Sequence, residues 1–318
     1  MKKILLLSVV FSTFMISNAN ATDWPSRTIN LTVGYGAGGT TDSTARVLSS
    51  LMEKDLGKKV TVLNKPGGGG SVAAALAKTQ KADGYNVFTF TTGAAVLTPH
   101  MQDLPYDPLK DFTFIAQFAQ WNLGVVVPKD APYNTLQELV QHAKANPGKI
   151  SYAIAGTGTP QHLVMERLAL HEGISWKAVP FKGGAASVTA LLGGHVDVMA
   201  GATEWLPQVK SGDFKLLAIL TEKPMKQFPE VPTLLGLGYP ISAPSILGIA
   251  GPAGMPKDVV TKLAASIEAA TTKQPLIDII EKLAMQINYR GPSEFEDHTS
   301  KTFAEQGEII KSAGLSKK

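Results

Sequence analysis

Short apolar runs rich in β-branched residues alternate with segments of helical periodicity along most of the chain. The first runs are Ile29–Val33, Val60–Leu63 and Asn86–Phe90, and each predicts a strand. Between them, Thr40–Leu56 has apolar side chains at the spacing of an amphipathic helix, and Val72–Lys81 is an alanine-rich helix. This alternation predicts βαβ units and mainly parallel sheets with helices on both faces.

The same alternation continues to the end of the chain. Pro256–Ser312 is predicted to be helix-rich, and the further predicted strands are Gly124–Val127, Lys149–Ile154, Trp176–Pro180, Val196–Met199, Leu216–Leu220 and Ile246–Ala250. Gly124–Pro128 and Leu247–Pro252 are each followed by a proline turn and a helix. We interpret them as crossings between two domains, although a single large sheet would show similar glycine and proline positions after its strands. Residues 22–124 plus 247–318 would form lobe 1, residues 125–246 would form an inserted lobe 2, and the two crossover strands would be the hinge.

The N-terminal residues have the pattern of an export signal. Lys2 and Lys3 precede the apolar run Ile4–Met15, and Ala19-Asn-Ala21 is a small-x-small cleavage site. The apolar run is too short to span a bilayer. The chain also has no cysteine, which excludes a lipid-modified cysteine, disulfides and thiolate metal sites. We therefore expect cleavage after Ala21 and a periplasmic protein without an anchor.

The charge balance argues against two classes of partner. The formal net charge of +4 falls to +2 once Lys2 and Lys3 are removed. This small net positive charge does not indicate binding to nucleic acid or a polybasic patch that binds a membrane. The four tryptophans are dispersed and form no stacking platform. We expect a monomer that is not itself membrane-anchored and binds no nucleic acid.

Four glycine-rich loops each follow a predicted strand and precede a helix. Such a turn exposes free backbone N–H groups at the positive end of a helix dipole, and glycine lets an anion approach them. Ligands of α/β sheets bind at the carboxyl ends of the strands. The loops together predict a carboxylate or phosphate site, although each alone is also explained as a helix entry with Ser/Thr caps. They are Gly34–Asp42, Asn64–Ser71, Ala155–Pro160 and Phe181–Gly184.

The first loop also contains a literal dinucleotide pattern, Gly34-x-Gly36-x-x-Gly39, between a strand and a helix. The second strand ends in Asn64-Lys-Pro66, so no acidic residue is available for a ribose hydroxyl. A Walker lysine is absent as well, because Thr40 follows Gly39. No nucleotide cofactor is predicted.

The chain shows no catalytic set. There is no G-x-S-x-G elbow or H-E-x-x-H motif, and the six histidines lack metal-ligand spacing. No catalytic residue, cofactor or metal is predicted. His162 could donate to a bound carboxylate or be an ordinary helix histidine. Asp42 could accept from a ligand or be favoured by the helix dipole alone.

The order and spacing of many short motifs resemble the extracytoplasmic receptors of tripartite tricarboxylate transporters, often called the Bug family. The resemblance covers nearly the whole chain after the signal, with one departure, Gly34, where the family commonly has proline. The motifs are Trp24-Pro, Tyr35-Gly-Ala-Gly-Gly-Thr-Thr-Asp42, Asn64-Lys-Pro-Gly-Gly-Gly-Gly70, Ala82-Asp-Gly-Tyr85, Tyr106-Asp-Pro, Gly156-Thr-Gly-Thr159 with His162, Val179-Pro-Phe-Lys-Gly-Gly184, Leu192-Gly-Gly-His-Val-Asp197, Phe228-Pro-Glu-Val-Pro-Thr233 and Gly251-Pro-Ala-Gly-Met-Pro256.

The resemblance implies a type II periplasmic-binding-protein fold, an α/β fold of two lobes that close on a ligand in the cleft between them. In the family, one loop from each lobe grips a ligand carboxylate, partly through ordered waters. The implied function is capture of a small carboxylate (a di- or tricarboxylate, an acidic amino acid or an aromatic acid) for delivery to the membrane subunits of a tripartite tricarboxylate transporter. The alternatives are an exported α/β enzyme acting on a small acid and a ligand-presenting partner of a sensor. The expected ligand-binding residues are Tyr35, Gly38, Gly39, Thr40, Asp42, Thr92, Thr157, Gly158, Thr159, His162, Phe181, Lys182 and Gly183.

Overall fold

The computed structural model describes residues 24–317, so the predicted export signal and its cleavage site lie outside the described residues. The strands are β1 (Ile29–Val33), β2 (Val60–Asn64), β3 (Asn86–Thr91), β4 (Phe112–Gln120), β5 (Leu123–Pro128), β6 (Ser151–Ile154), β7 (Lys177–Pro180), β8 (Val198–Ala202), β9 (Phe214–Ile219), β10 (Leu247–Pro252) and β11 (Gln286–Arg290).

Helices follow most of these strands, together with short helical turns at Gly68–Gly70, Gly93–Leu97 and Thr203–Trp205. The helices are α1 (Thr40–Leu56), α2 (Ser71–Lys78), α3 (Thr98–Met101), α4 (Leu136–Ala145), α5 (Pro160–Glu172), α6 (Gly184–Leu192), α7 (Leu206–Ser211), α8 (Lys257–Thr271), α9 (Gln274–Lys282) and α10 (Pro292–Ser312). No helix within the described range is long and apolar enough to cross a membrane.

The strands form two sheets. The first has the order β11-β4-β10-β3-β1-β2, and the second has the order β7-β6-β8-β5-β9. The chain therefore passes from the first sheet to the second between β4 and β5, and returns between β9 and β10. This arrangement is the predicted α/β fold with a middle segment that builds its own sheet. The exact lobe boundaries stay a prediction.

Both sheets are mixed, so the prediction of mainly parallel sheets is wrong in this respect. β1 pairs in parallel with β2 and β3, and β6 pairs in parallel with β7 and β8. β10 runs antiparallel to β3 and β4, β11 runs antiparallel to β4, and β5 runs antiparallel to β8 and β9. Helical crossovers make neighbouring strands parallel. In contrast, β5 and β10, at the two crossings between the sheets, run opposite to the strands beside them.

Helix α1 shows how local sequence sets an element that matters for the site. Its buried face includes Ala45, Leu48 and Met52, each at most 1% exposed. Burying a side chain of the size of Leu or Met stabilises the fold by about 1.5–3 kcal/mol. Gly57 ends the helix in a left-handed conformation with φ 67°. The prediction of Thr40–Leu56 is confirmed, and the helix begins at the carboxyl end of β1.

Candidate ligand-binding site

A small cavity lies between the two sheets, at the point where α1 of the first sheet and α5 and α6 of the second begin. Its volume is about 40 Å³, enough for about three water molecules. β1, β6 and β7 end at this edge of their sheets, which is where α/β sheets bind ligands. The lining residues are Tyr35, Gly36, Gly39, Thr40, Thr41, Trp121, Leu123, Ala155, Thr159, Pro160, Gln161, Gly184, Ala202 and Glu204.

The loop between β1 and α1 is held in shape by Asp42. The N–H of Gly38 donates to Asp42 Oδ2 at 2.9 Å, Arg46 Nε donates to the same oxygen at 2.9 Å, and Asn64 Nδ2 donates to Oδ1 at 2.8 Å. Burial alone would raise the pKa of Asp42, but these hydrogen bonds outweigh burial and lower it. The side chain is therefore a carboxylate at neutral pH that organises the loop.

The protein's own carboxylate occupies the start of α1. Glu204, just after β8, accepts hydrogen bonds at Oε1 from the Thr40 N–H at 3.1 Å and from the Thr40 hydroxyl at 2.9 Å. Its Oε2 atom is buried without a hydrogen-bond partner. Gly184, the first residue of α6, packs so closely that a Cβ atom there would overlap the carboxyl group. Glu204 thus lies between two helix N-termini, one from each sheet, and helix N-termini favour negative charge.

Trp121 connects this arrangement to the crossing between the sheets. It lies between β4 and β5 and is 7% exposed. Its indole Nε1–H donates to the Thr40 hydroxyl at 3.1 Å, and its backbone N–H donates to the Ser245 hydroxyl at 2.7 Å. The crossing segment, the first loop and Glu204 are therefore joined by one chain of hydrogen bonds.

The loop between β6 and α5 supplies the second-sheet side of the cavity. Thr159 Oγ1 donates to the Gly156 carbonyl at 2.8 Å, and the Gly158 N–H donates to His162 Nδ1 at 3.2 Å. Burial lowers the pKa of His162, although the nearby charge of Glu166 opposes this effect. Nδ1 must be unprotonated to accept from Gly158. The geometry and the lowered pKa therefore agree on a neutral ring.

Backbone atoms of the two sheets meet around the cavity where side chains would not fit. The Gly36 N–H donates to the Lys182 carbonyl at 2.7 Å, and a Cβ atom on Gly36 would lie 2.6 Å from that oxygen. A Cβ atom on Gly156 would lie 2.9 Å from the Gly69 nitrogen. Tyr35 donates its hydroxyl to the Gly69 carbonyl at 2.8 Å, and burial raises its pKa to about 12. The loops therefore close against each other through backbone contacts.

The structure divides the predicted site residues into those that line a cavity and those that do not. Tyr35, Gly39, Thr40 and Thr159 line it, and Gly38 lines a neighbouring cavity. The others are not among the lining residues, and Thr92, for example, uses its hydroxyl to accept from the Ile246 N–H at 2.7 Å. Their contact with a ligand stays a prediction. They are Asp42, Thr92, Thr157, Gly158, His162, Phe181, Lys182 and Gly183.

Ten lining residues were not predicted from the sequence, and they are of two kinds. Residues of the first kind lie in or beside the glycine-rich loops, so the loop motifs could have identified them. They are Gly36, Thr41, Ala155, Pro160, Gln161 and Gly184. The other kind comes from elements without any loop motif: Trp121, Leu123, Ala202 and Glu204. An acidic residue in the first turn of a helix is favoured by the dipole alone, so Glu204 had no distinguishing local signal.

Comparisons with known proteins agree on one group of relatives. The family model described as "Tripartite tricarboxylate transporter family receptor" matches residues 44–315. The UPF0065 protein of the gbd 5′ region of Cupriavidus necator is 37% identical over 303 residues, which cover 95% of this chain and 92% of the relative.

Solved structures share the fold over almost the whole chain. The periplasmic binding protein BugD superposes with a TM-score of 0.87 at 30% identity, covering 93% of this chain and 100% of its own. An R. palustris protein solved with adipate superposes with a TM-score of 0.87 at 26% identity, covering 92% of this chain and 99% of its own.

Proposed function

The chain belongs to the family of tripartite tricarboxylate transporter receptors, and from that premise we propose that it captures a small carboxylate between its two sheets for delivery to the membrane subunits of such a transporter. The family resemblance predicted from the motifs is confirmed. The family is one of solute receptors, and the proposed capture requires no chemistry on the ligand.

The observation that carries this proposal is the way Thr40 holds Glu204. Backbone and hydroxyl donors at the start of α1 already bind a carboxylate group at 2.9–3.1 Å. The same cavity exposes the first turns of α1 and α5, where the N–H groups of Thr41 and Gln161 have no acceptor within their helices. A ligand carboxylate between these two turns would meet donors from both sheets.

The energies involved are sufficient for a transport receptor. A hydrogen bond to a charged group contributes about 1.5–3 kcal/mol. Several of them, with burial of the ligand's apolar part, can offset the cost of association and reach a micromolar dissociation constant, or about −8.2 kcal/mol. Because the donors come from both sheets, ligand binding favours the closed arrangement over an open one.

Closure explains the glycine contacts between the loops. The contact between Gly36 and Lys182 exists only when the sheets are close, and it leaves no space for a side chain. We propose that the lobes are residues 22–124 with 247–318 and residues 125–246, and that the two crossings act as the hinge. The closed form would be the one that the membrane subunits recognise.

The relatives and the N-terminal pattern both support a periplasmic location. BugD is a periplasmic binding protein, and the N-terminal residues of this chain have the pattern of an export signal. We propose export with cleavage after Ala21 and action as a periplasmic monomer. N-terminal sequencing of the protein from the periplasmic fraction tests this point, and a first residue other than Thr22 would contradict the proposed site.

A thermal-shift screen of the chain from Thr22 onward, at neutral pH and fixed salt, tests the function. The panel runs from monocarboxylates and dicarboxylates through citrate and acidic amino acids to aromatic acids. A ligand at 100 times its dissociation constant adds about 2.7 kcal/mol, which raises the melting temperature of a chain of this length by about 4 °C. One structurally coherent set of hits supports the proposal. No shift with any acid, or turnover of an acid that binds, would contradict it.

A further inference from the structure

Glu204 introduces a negative charge into a site whose other features attract anions. Among the ion pairs of residues 24–317, none involves Glu204. Its partners are the uncharged donors of Thr40, and one of its oxygens is buried without any partner. The carboxylate is therefore balanced by helix N-termini alone.

The helix N-termini can balance only a limited negative charge. Each helix contributes the equivalent of about +0.5 elementary charge at its start, so α1, α5 and α6 together contribute about +1.5. The lining residues include no lysine, arginine or histidine. Once Glu204 is counted, about +0.5 remains, so one ligand carboxylate brings the balance to about −0.5 and a second one brings it to about −1.5.

The part of a ligand that enters this cavity of about 40 Å³ is removed from water. Burying a charge that is neither paired nor hydrated is costly.

We propose that Glu204 sets the charge of the ligand, so that the site selects compact monocarboxylates against di- and tricarboxylates. This inference rests on the proposed carboxylate-binding function. Thr40 holds Glu204 rather than the ligand, and the ligand carboxylate lies between the first turns of α1 and α5, near Thr41 and Gln161. The adipate found in a related structure is a dicarboxylate, so this chain would differ from that relative in the charge of its ligand.

Pairs of ligands that differ only in charge provide the test. Malonate, succinate and glutarate each have a monoamide of nearly the same shape with one negative charge fewer. Dissociation constants are measured by calorimetry at neutral pH for the wild type, Glu204→Gln, Glu204→Asp and Glu230→Gln. Glu230 is exposed and outside the cavity, so its replacement removes the same formal charge at a distance.

The wild type is expected to bind the monoamide of a pair at least about tenfold more tightly than the diacid, a difference of about 1.4 kcal/mol. Glu204→Gln should reduce or reverse this preference by improving the affinity for the diacid by about tenfold or more. Glu204→Asp and Glu230→Gln should retain the wild-type preference, the first because it keeps the charge in the cavity.

Three results would overturn the inference, and they are distinguishable. If the wild type binds a diacid as tightly as its monoamide, Glu204 does not set the charge. In that case the side chain has room to move into the neighbouring cavity of about 260 Å³, which Lys282 lines. An unchanged preference in Glu204→Gln leads to the same conclusion. If the wild type binds no carboxylate of any pair or of the wider panel, the proposed function falls together with this inference.

Discussion

Replacing Gly36 with alanine should impair ligand binding by blocking closure. The Gly36 N–H donates to the Lys182 carbonyl across the cleft at 2.7 Å, and a Cβ atom would lie 2.6 Å from the same oxygen. The φ angle of Gly36 is outside the positive range that favours glycine. Alanine therefore fits the local backbone and conflicts only with the opposite loop.

The size of the effect follows from two contributions. Forcing a methyl group into a packed contact costs about 1–3 kcal/mol, and weakening the hydrogen bond costs about 0.5–1.5 kcal/mol. The closed state is then less favourable by about 2–4 kcal/mol. Since each 1.4 kcal/mol is a factor of ten, the ligand affinity should fall by roughly thirtyfold to several hundredfold. An open state would carry none of this cost.

The assay compares Gly36→Ala with Gly291→Ala by calorimetry with a carboxylate that binds the wild type, and by small-angle X-ray scattering. Gly291 precedes α10 with φ −67°, and the nearest atom to its Cβ position is the Tyr289 hydroxyl at 3.8 Å. We expect weak binding and a larger radius of gyration only for Gly36→Ala, with a melting temperature close to that of the wild type. Wild-type affinity in a folded Gly36→Ala protein would refute the role of this contact in closure.

Three further variants test other parts of the site. Gly39→Asp should abolish carboxylate binding in a protein that still melts cooperatively, because it adds a negative charge where the anion should lie; unchanged affinity would remove the first loop from the site. Trp121→Phe should weaken binding by about fivefold to tenfold, since the Thr40 hydroxyl loses a donor at 3.1 Å worth about 1 kcal/mol, and an equal dissociation constant would contradict this coupling. The lowered pKa of His162 means that the folded state favours its neutral form, so this contribution to stability is complete above the ordinary value near 6.5 and is lost as the pH falls toward the folded pKa. Thermal unfolding between pH 7.5 and 5 should show a smaller loss of stability in His162→Gln, and parallel curves would contradict the role of the Gly158 contact.

Local sequence signals predicted the parts of the fold that depend on neighbouring residues. The predicted bounds of α1 agree with the structure because its apolar side chains have the spacing of an amphipathic helix. β4 was not predicted: it is buried on both faces and includes a buried glutamine and two alanines, so it shows neither alternation nor a β-branched run. β11 was missed because it is a short, polar edge strand within a helix-rich stretch.

The candidate site shows the same division. Glycine loops that follow strands are local patterns, and they correctly predicted where helix N-termini expose their donors. The partners of Thr40 are distant in sequence, since Trp121 lies 81 residues away and Glu204 lies 164 residues away. Such pairs depend on how the two sheets face each other. No periodicity or motif of this chain encodes that arrangement.

A calorimetric titration of the chain from Thr22 onward with the carboxylates that raise its melting temperature tests the central claim most directly. We expect a saturable isotherm with one carboxylate per chain, a return to the baseline after each injection, and loss of the binding heat in Gly39→Asp. Absence of binding heat for every acid would contradict capture of a carboxylate between the sheets. A continuing heat signal from turnover of the acid would contradict the role as a receptor.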